Sequence, residues 1–109
     1  MSIVVNIYYS GENGAARKFA HEMISSGTVD AIRKEEGNIR YDYFFPMGDE
    51  ETFLLIDIWE NQESIDLHHQ SPMMKKIAEL RDKYNLHMRV ERYKSEDTIP
   101  AADRKYIRE

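Results

Sequence analysis

The stretch Thr52–Met74, TFLLIDIWENQESIDLHHQSPMM, decides the fold. Thr52–Trp59 reads as a strand. Phe53 and Leu55 point one way, with Asp57 and Trp59 following; Leu54, Ile56 and Ile58 point the other way. Both faces of this strand are apolar, so both should be buried. Two helices from one chain cover only one face of a small sheet. The economical cover for the second face is the same face of another copy, which predicts a homodimer. After the strand the chain turns into two short helical pieces. Asn61 is a good N-cap, and Glu63 lies in the first turn, where the helix dipole favours an anion. Ser71 reads as the N-cap of the second piece, with Pro72 at its first position, where a missing N–H costs nothing. His68 and His69 lie between these signals, so a titratable group comes to the rim of a sheet beside Trp59.

Upstream, Ile3–Tyr9 is a β-branched and aromatic strand broken only by Asn6. Asn6 has two readings: an edge or solvent-facing position, or a polar group aimed into a pocket. Ser10–Asn13 is turn chemistry. Asn13 is read as the cap of a helix through Met23, with Ala16, Phe19, Ala20 and Met23 on one face. Thr28–Glu36 resumes the helical pattern with Val29 and Ile32, and Gly37 stops it. Glu35 and Glu36 stand at the helix end that disfavours anions, and solvent exposure is the only reason the sequence offers. Ile39–Phe45 alternates, with Ile39, Tyr41, Tyr43 and Phe45 opposed to Arg40, Asp42 and Phe44; Pro46–Glu51 is a hairpin loop.

Downstream, Met73, Ile77, Leu80 and Tyr84 make a stripe at helical spacing, a core pattern rather than a cofactor box. Asn85 ends that helix, and Leu86–Tyr93 is a final strand. Residues 1–93 thus form one domain, and 94–109 a polar tail or short helix. The order strand, helix, strand, strand, helix, strand is the split βαβ, ferredoxin-like arrangement. It is an α+β fold with an antiparallel four-stranded sheet and both helices on one face.

The bulk numbers narrow the function. The chain has 109 residues, 41% of them hydrophobic, enough for one small core. A net charge of −5 argues against nucleic-acid binding, which needs a basic face. There is no cysteine, hence no thiolate nucleophile and no cysteine metal site. The start, MSIVVNIYYSG, lacks a basic n-region, and no stretch approaches the ~18 apolar residues of a membrane span, so a cytoplasmic location is expected. Adjacent His68 and His69 lack the i, i+4 spacing of helical metal ligands, so no metal is expected.

Three segments carry a family resemblance. Gly27–Asp42, GTVDAIRKEEGNIRYD, resembles the helix-to-strand passage of the antibiotic biosynthesis monooxygenase (ABM) family. Asp57-Ile58-Trp59 resembles its acidic-x-Trp at the end of the third strand, and His68–Pro72, HHQSP, its His-x-x-Ser/Thr-Pro. The similarity spans most of residues 3–93. It implies a dimeric α+β barrel and small, cofactor-free oxygenases of quinols and polyketide-derived phenols. An isomerase of a phosphorylated autoinducer is also similar, particularly around EEGNIRYD. Haem-degrading relatives place a catalytic Asn where this chain has Asn6. However, they carry Trp in place of His68, and their iron-ligating histidine is replaced by Ala78 here. Haem and other cofactors are therefore not expected.

Only His68 matches the family histidine; His69 is expected to face solvent, and His21 and His87 to be structural or exposed. The implied chemistry needs a base near neutral pH, donors for a developing oxyanion, and a dry aromatic pocket. His68 suits the first task. Asn6, Tyr41 or Tyr43 suit the second. Trp59, Phe53 and Phe19 suit the third, although core packing is the plainer role for all three. The leading expectation is a cofactor-independent monooxygenase of a small quinol or phenol, with dioxygen as co-substrate. Two alternatives stand beside it. One is an isomerase of a small phosphorylated ketone, for which Arg40 and Arg89 are the strand candidates for binding phosphate. The other is a non-enzymatic dimeric binding domain.

Overall fold

The computed structural model describes residues 1–109. Strands β1 (Ile3–Ser10), β2 (Asn38–Phe44), β3 (Thr52–Trp59) and β4 (His87–Lys94) form one antiparallel sheet in the order β2-β3-β1-β4. Helices α1 (Ala15–Ser25) and α2 (Thr28–Arg33) make the first connection, and α3 (Gln62–His69) and α4 (Pro72–Lys83) the second. This is the ferredoxin-like arrangement expected from the order of elements. A short exposed helix, α5 (Ala101–Arg104), lies in the C-terminal segment. No helix is long and apolar enough to cross a membrane.

The register sorts side chains into two faces. Tyr41, Asp57, Val5 and Arg92 form one row across the sheet, and Tyr43, Leu55, Ile7 and Val90 the next. Helices pack on this face. Trp59, Phe19, Phe53, Met23, Ile32 and Leu55 are its most deeply buried side chains. Phe53 stacks on Tyr9 at 4.8 Å and on Phe19 at 5.7 Å between ring centroids, closing the core beneath α1.

The other face carries Val4, Asn6, Tyr8, Leu54, Ile56 and Ile58, all half-buried. Phe44 and Tyr93 on the same face are 40% and 53% exposed. A single chain thus leaves an apolar strip without a helical cover, as the two-faced reading of β3 requires.

Three local readings change. Asn13 does not cap α1: it takes a positive φ of 56°, the cap position falls on Gly14 at φ 79°, and the Gly14 N–H is held by the Glu51 carboxylate. That partner comes from the β2–β3 loop, so the capping is tertiary. Helix α2 ends at Arg33 rather than Glu36, and Glu35 leaves the helix in a turn that Gly37 completes at φ 85°. A register shift between Asn38 and Arg40 throws Ile39 out of the β2 alternation, and it is 54% exposed rather than inward.

Candidate functional site

The site begins with the turn after β3. The Asn61 carboxamide oxygen accepts from the Ser64 backbone N–H at 2.9 Å and starts α3 as a true N-cap. At the other end Ser71 does not cap α4 through its side chain; its hydroxyl donates to the His68 carbonyl at 2.6 Å. With both ends tied, His68 is buried, at 6% exposure, against the sheet. Its ring lies 4.7 Å from that of Trp59, tilted by 31°, and 6.4 Å from that of Tyr41.

Glu35 is the residue that the sequence left without a role. It is not solvated. Its side chain is only 13% exposed, and Oε2 lies 2.7 Å from Nδ1 of His68. Gly37 permits this contact: a Cβ there would collide with the Ser64 side chain, so only glycine lets the α2–β2 turn sit against α3. Burial holds the His68 pKa below its ordinary value, with Glu35 pulling the other way. The imidazole is therefore neutral at pH 7. With Nδ1–H donating to Glu35, the lone pair is left on Nε2, which has no partner in the protein.

Beside this pair lies a cavity of about 290 Å³. Val5, Ile7, Leu55, Ile65 and Ile77 supply apolar walls, and Tyr41, Asp57 and His68 gather at its polar end. Arg81 from α4 and Arg92 from β4 also line it. Asp57 is a second carboxyl that the sequence reading placed in a motif but gave no task. It is 5% exposed, and burial pushes its pKa up to about 6. Trp59 Nε1 donates to its Oδ2 at 2.7 Å, and Oδ1 has no partner. Burial raises the Tyr9 hydroxyl to about 12 and lifts Tyr41 and Tyr43 as well, so all three stay protonated at neutral pH. No three His, Asp or Glu side chains converge as a metal site.

The residues singled out in the sequence separate into groups. His68 and Tyr41 line the cavity, and Trp59 stacks on His68. Tyr43 packs edge-on to Tyr41 with a buried, unpartnered hydroxyl, off the cavity wall. Phe19 and Phe53 are 1% and 0% exposed in the core and do not line the cavity. Asn6 pairs across the sheet with Ile56 and Glu91, on the face opposite to the helices. It is therefore not gathered with His68: strand parity turns it away. Arg40 and Arg89 also lie on that opposite face. His69 is exposed at the rim, and His21 and His87 are exposed elsewhere.

A ferredoxin-like sheet with a histidine-walled apolar cavity between sheet and helices defines a class of small α+β proteins. Comparison makes the class specific. The sequence profile of the antibiotic biosynthesis monooxygenase family matches residues 2–80, and the chain belongs to that family. It is 29% identical over 69 residues to a Bacillus subtilis protein named "Putative monooxygenase YcnE", covering 63% of this chain and 70% of that one. A Synechocystis protein, sll1783, is 27% identical over 56 residues, which is 51% of this chain and 38% of its own length. Among solved structures, SnoaB, a cofactor-independent oxygenase from Streptomyces nogalater, superposes with a TM-score of 0.73 at 11% identity, over 91% of this chain and 97% of that one. At that identity the likeness is one of fold.

Proposed function

We propose that this chain is a cofactor-independent monooxygenase that oxidises a small quinol or phenol with dioxygen, using His68 as base. The observation that carries the reading is the His68–Glu35 pair, 2.7 Å apart, on the wall of a mostly apolar cavity. At about 290 Å³ the cavity is of the size that takes one or two fused aromatic rings.

Each part has a task. A ring hydroxyl donates to the free Nε2 of His68 and then gives up its proton. The Glu35 carboxylate stabilises the imidazolium that forms, because its Oε2 already accepts from Nδ1. The resulting phenolate is a far better one-electron donor to dioxygen than the neutral phenol. Electron transfer and recombination at a ring carbon give a hydroperoxide, which loses water to leave a carbonyl. One oxygen atom stays in the product and the other leaves as water; the substrate supplies all four electrons. The protonated Tyr41 hydroxyl is a donor for the developing oxyanion. The apolar walls keep bulk water from the intermediate. The uncovered apolar face of the sheet supports a homodimer, paired through Leu54, Ile56 and Ile58.

The test is oxygen uptake with a panel of hydroquinones, naphthohydroquinones and anthrones, with product mass read under ¹⁸O₂. A single labelled oxygen in the product supports the reading; no uptake across the panel contradicts it. Arg81 and Arg92 on the cavity wall favour a second reading, an isomerase of a small phosphorylated ketone. That enzyme turns over without oxygen, so an anaerobic assay separates the two.

A further inference from the structure

The cavity that ends at His68 opens toward β4, and this open end carries positive charge that the protein leaves unpaired. Strand β4 is an edge of the sheet, and its helix-side residues Met88 and Val90 remain 40% and 49% exposed. Together with Arg92 they line the cavity, as do Met74, Ile77 and Arg81 from α4. Other arginines on the strands and helices are neutralised: Arg33 and Arg40 pair with Asp42, and Arg89 with Glu91. Arg81 and Arg92 have no carboxylate partner. Arg81 Nη1 meets only Met88 Sδ, a weak acceptor, at 3.6 Å. Arg92 Nη2 donates to the uncharged Gln62 amide at 2.6 Å. The chain has a net charge of −5 and 20 acidic residues, yet spends none of them on these two guanidiniums. A mostly apolar cavity with two uncompensated cations at its mouth is complementary to an anion carried on an apolar body.

We propose that the mouth of the cavity binds the carboxylate of an aromatic acid between Arg81 and Arg92, with the ring system inside and a ring hydroxyl at His68. Guanidinium N–H groups are the strongest donors a side chain offers to a carboxylate. The charges within the cavity set the ligand's direction. Asp57 and the Glu35 partner of His68 repel an anion from the inner end, while Arg81 and Arg92 attract it outward. Arg92 closes the row Tyr41, Asp57, Val5, Arg92, two strand spacings or about 10 Å from Asp57. Two fused rings with substituents at opposite ends suit that span. The Arg81 charge is also felt inside: burial raises the Tyr9 hydroxyl, and Arg81 opposes that rise. Val5, Ile7, Leu55 and Ile77 would desolvate the hydroxyls of a small sugar-like phosphate without pairing them, so the arginine pair fits an aryl carboxylate better. This names a substrate class for the oxygenase reading and rests on that reading for turnover; the binding step stands without it.

The experiment is calorimetric binding under argon at pH 7.5. The probes are 6-hydroxy-2-naphthoate, its uncharged counterpart 6-hydroxy-2-naphthamide, and dihydroxyacetone phosphate. Wild type is expected to bind the acid at least tenfold more tightly than the amide, and the phosphate more weakly than the acid. The double variant Arg81→Gln, Arg92→Gln should bind acid and amide alike, with amide affinity within about twofold of wild type. Should the double variant fail to fold, each single variant is expected to lose at least threefold of the preference. A salt series on wild type needs no variant at all. Going from about 50 mM to about 500 mM NaCl should weaken the acid at least threefold and leave the amide unchanged. Equal affinity for acid and amide, a preference that survives without both arginines, an acid affinity indifferent to salt, or no binding of either naphthalene overturns the proposal. Tighter binding of dihydroxyacetone phosphate than of the acid overturns it in favour of a phosphate site. Oxygen uptake with uncharged hydroquinones but no preference for the acid would leave the oxygenase reading intact and remove this one; the preference without uptake from any phenol would do the reverse.

Discussion

At the scale of the residue, Glu35 determines what His68 can do. A carboxylate on Nδ1 selects one tautomer and leaves Nε2 free. Replacing it with glutamine reverses the logic, because an amide N–H facing Nδ1 favours the proton on Nε2. Glu35→Gln is expected to lower kcat on the order of 10²-fold, through loss of the base tautomer. Glu35 raises the His68 pKa against the effect of burial, so the acidic limb of the rate profile should also move to lower pH in this variant. Asp57 acts in the opposite direction on stability. Its pKa rises from 3.8 to about 6 on folding, so the folded state binds its proton more tightly than the unfolded state does. Stability from this group is present below pH 4 and is lost as pH rises through 6. Above that, ionised Asp57 costs on the order of 3 kcal/mol. Asp57→Asn should therefore stabilise the protein at pH 7.5 by up to that amount, with the gain vanishing near pH 4 in urea titrations. Asp57 was legible as inward-facing, from its parity with Phe53, Leu55 and Trp59. Its exchange with Trp59 Nε1 was not, since no rule of sequence aims an indole N–H.

At the scale of the element, the turn at Gly37 joins the two halves of the site. It carries Glu35 onto α3, where a side chain at position 37 would meet Ser64. Gly37→Ala combines a positive φ with that collision and is expected to destabilise the fold by about 2–4 kcal/mol in urea titrations. Rate should fall with it, as Glu35 and His68 are pushed apart. Signals carried by neighbours in the chain were readable. The bounds of β3 and the Asn61 cap came directly from Thr52–Asn61, because alternation and capping are local. Signals that need a second segment were not. The N-terminus of α1 is held by Glu51, 37 positions away, so Asn13 was taken for a cap it does not make. Glu35 and His68 are 33 positions apart, and an anion at a helix end is indistinguishable from a solvated one until α3 is placed beside it. For Asn6 the register was needed: its position on β1 fits a pocket residue only if it shares a face with Val5 and Ile7, and it does not.

At the scale of the whole molecule, one sheet serves two purposes. One face with its helices encloses the core and the cavity; the other is apolar along β1 and β3 and bare of helices. Sedimentation equilibrium is expected to give about twice the 12.9 kDa chain mass. Ile56→Glu, which places a charge at the centre of that strip opposite Asn6, should shift the protein to monomer without altering the cavity lining. A monomeric wild type at micromolar concentration would contradict this arrangement. The two-sided pattern of Leu54, Ile56 and Ile58 was visible in the sequence because period-two alternation failed there, and nothing local explains such a failure.

The central claim is that neutral His68, oriented by Glu35, removes the proton that makes the substrate reactive toward oxygen. Its most direct test is the initial rate of oxygen consumption, at pH 7.5 and saturating naphthohydroquinone, in wild type and in His68→Ala of verified fold. A loss of at least ~10²-fold in the variant, above the uncatalysed autoxidation rate, is the result the account predicts. Oxygen consumption that does not change when the imidazole is removed would contradict it.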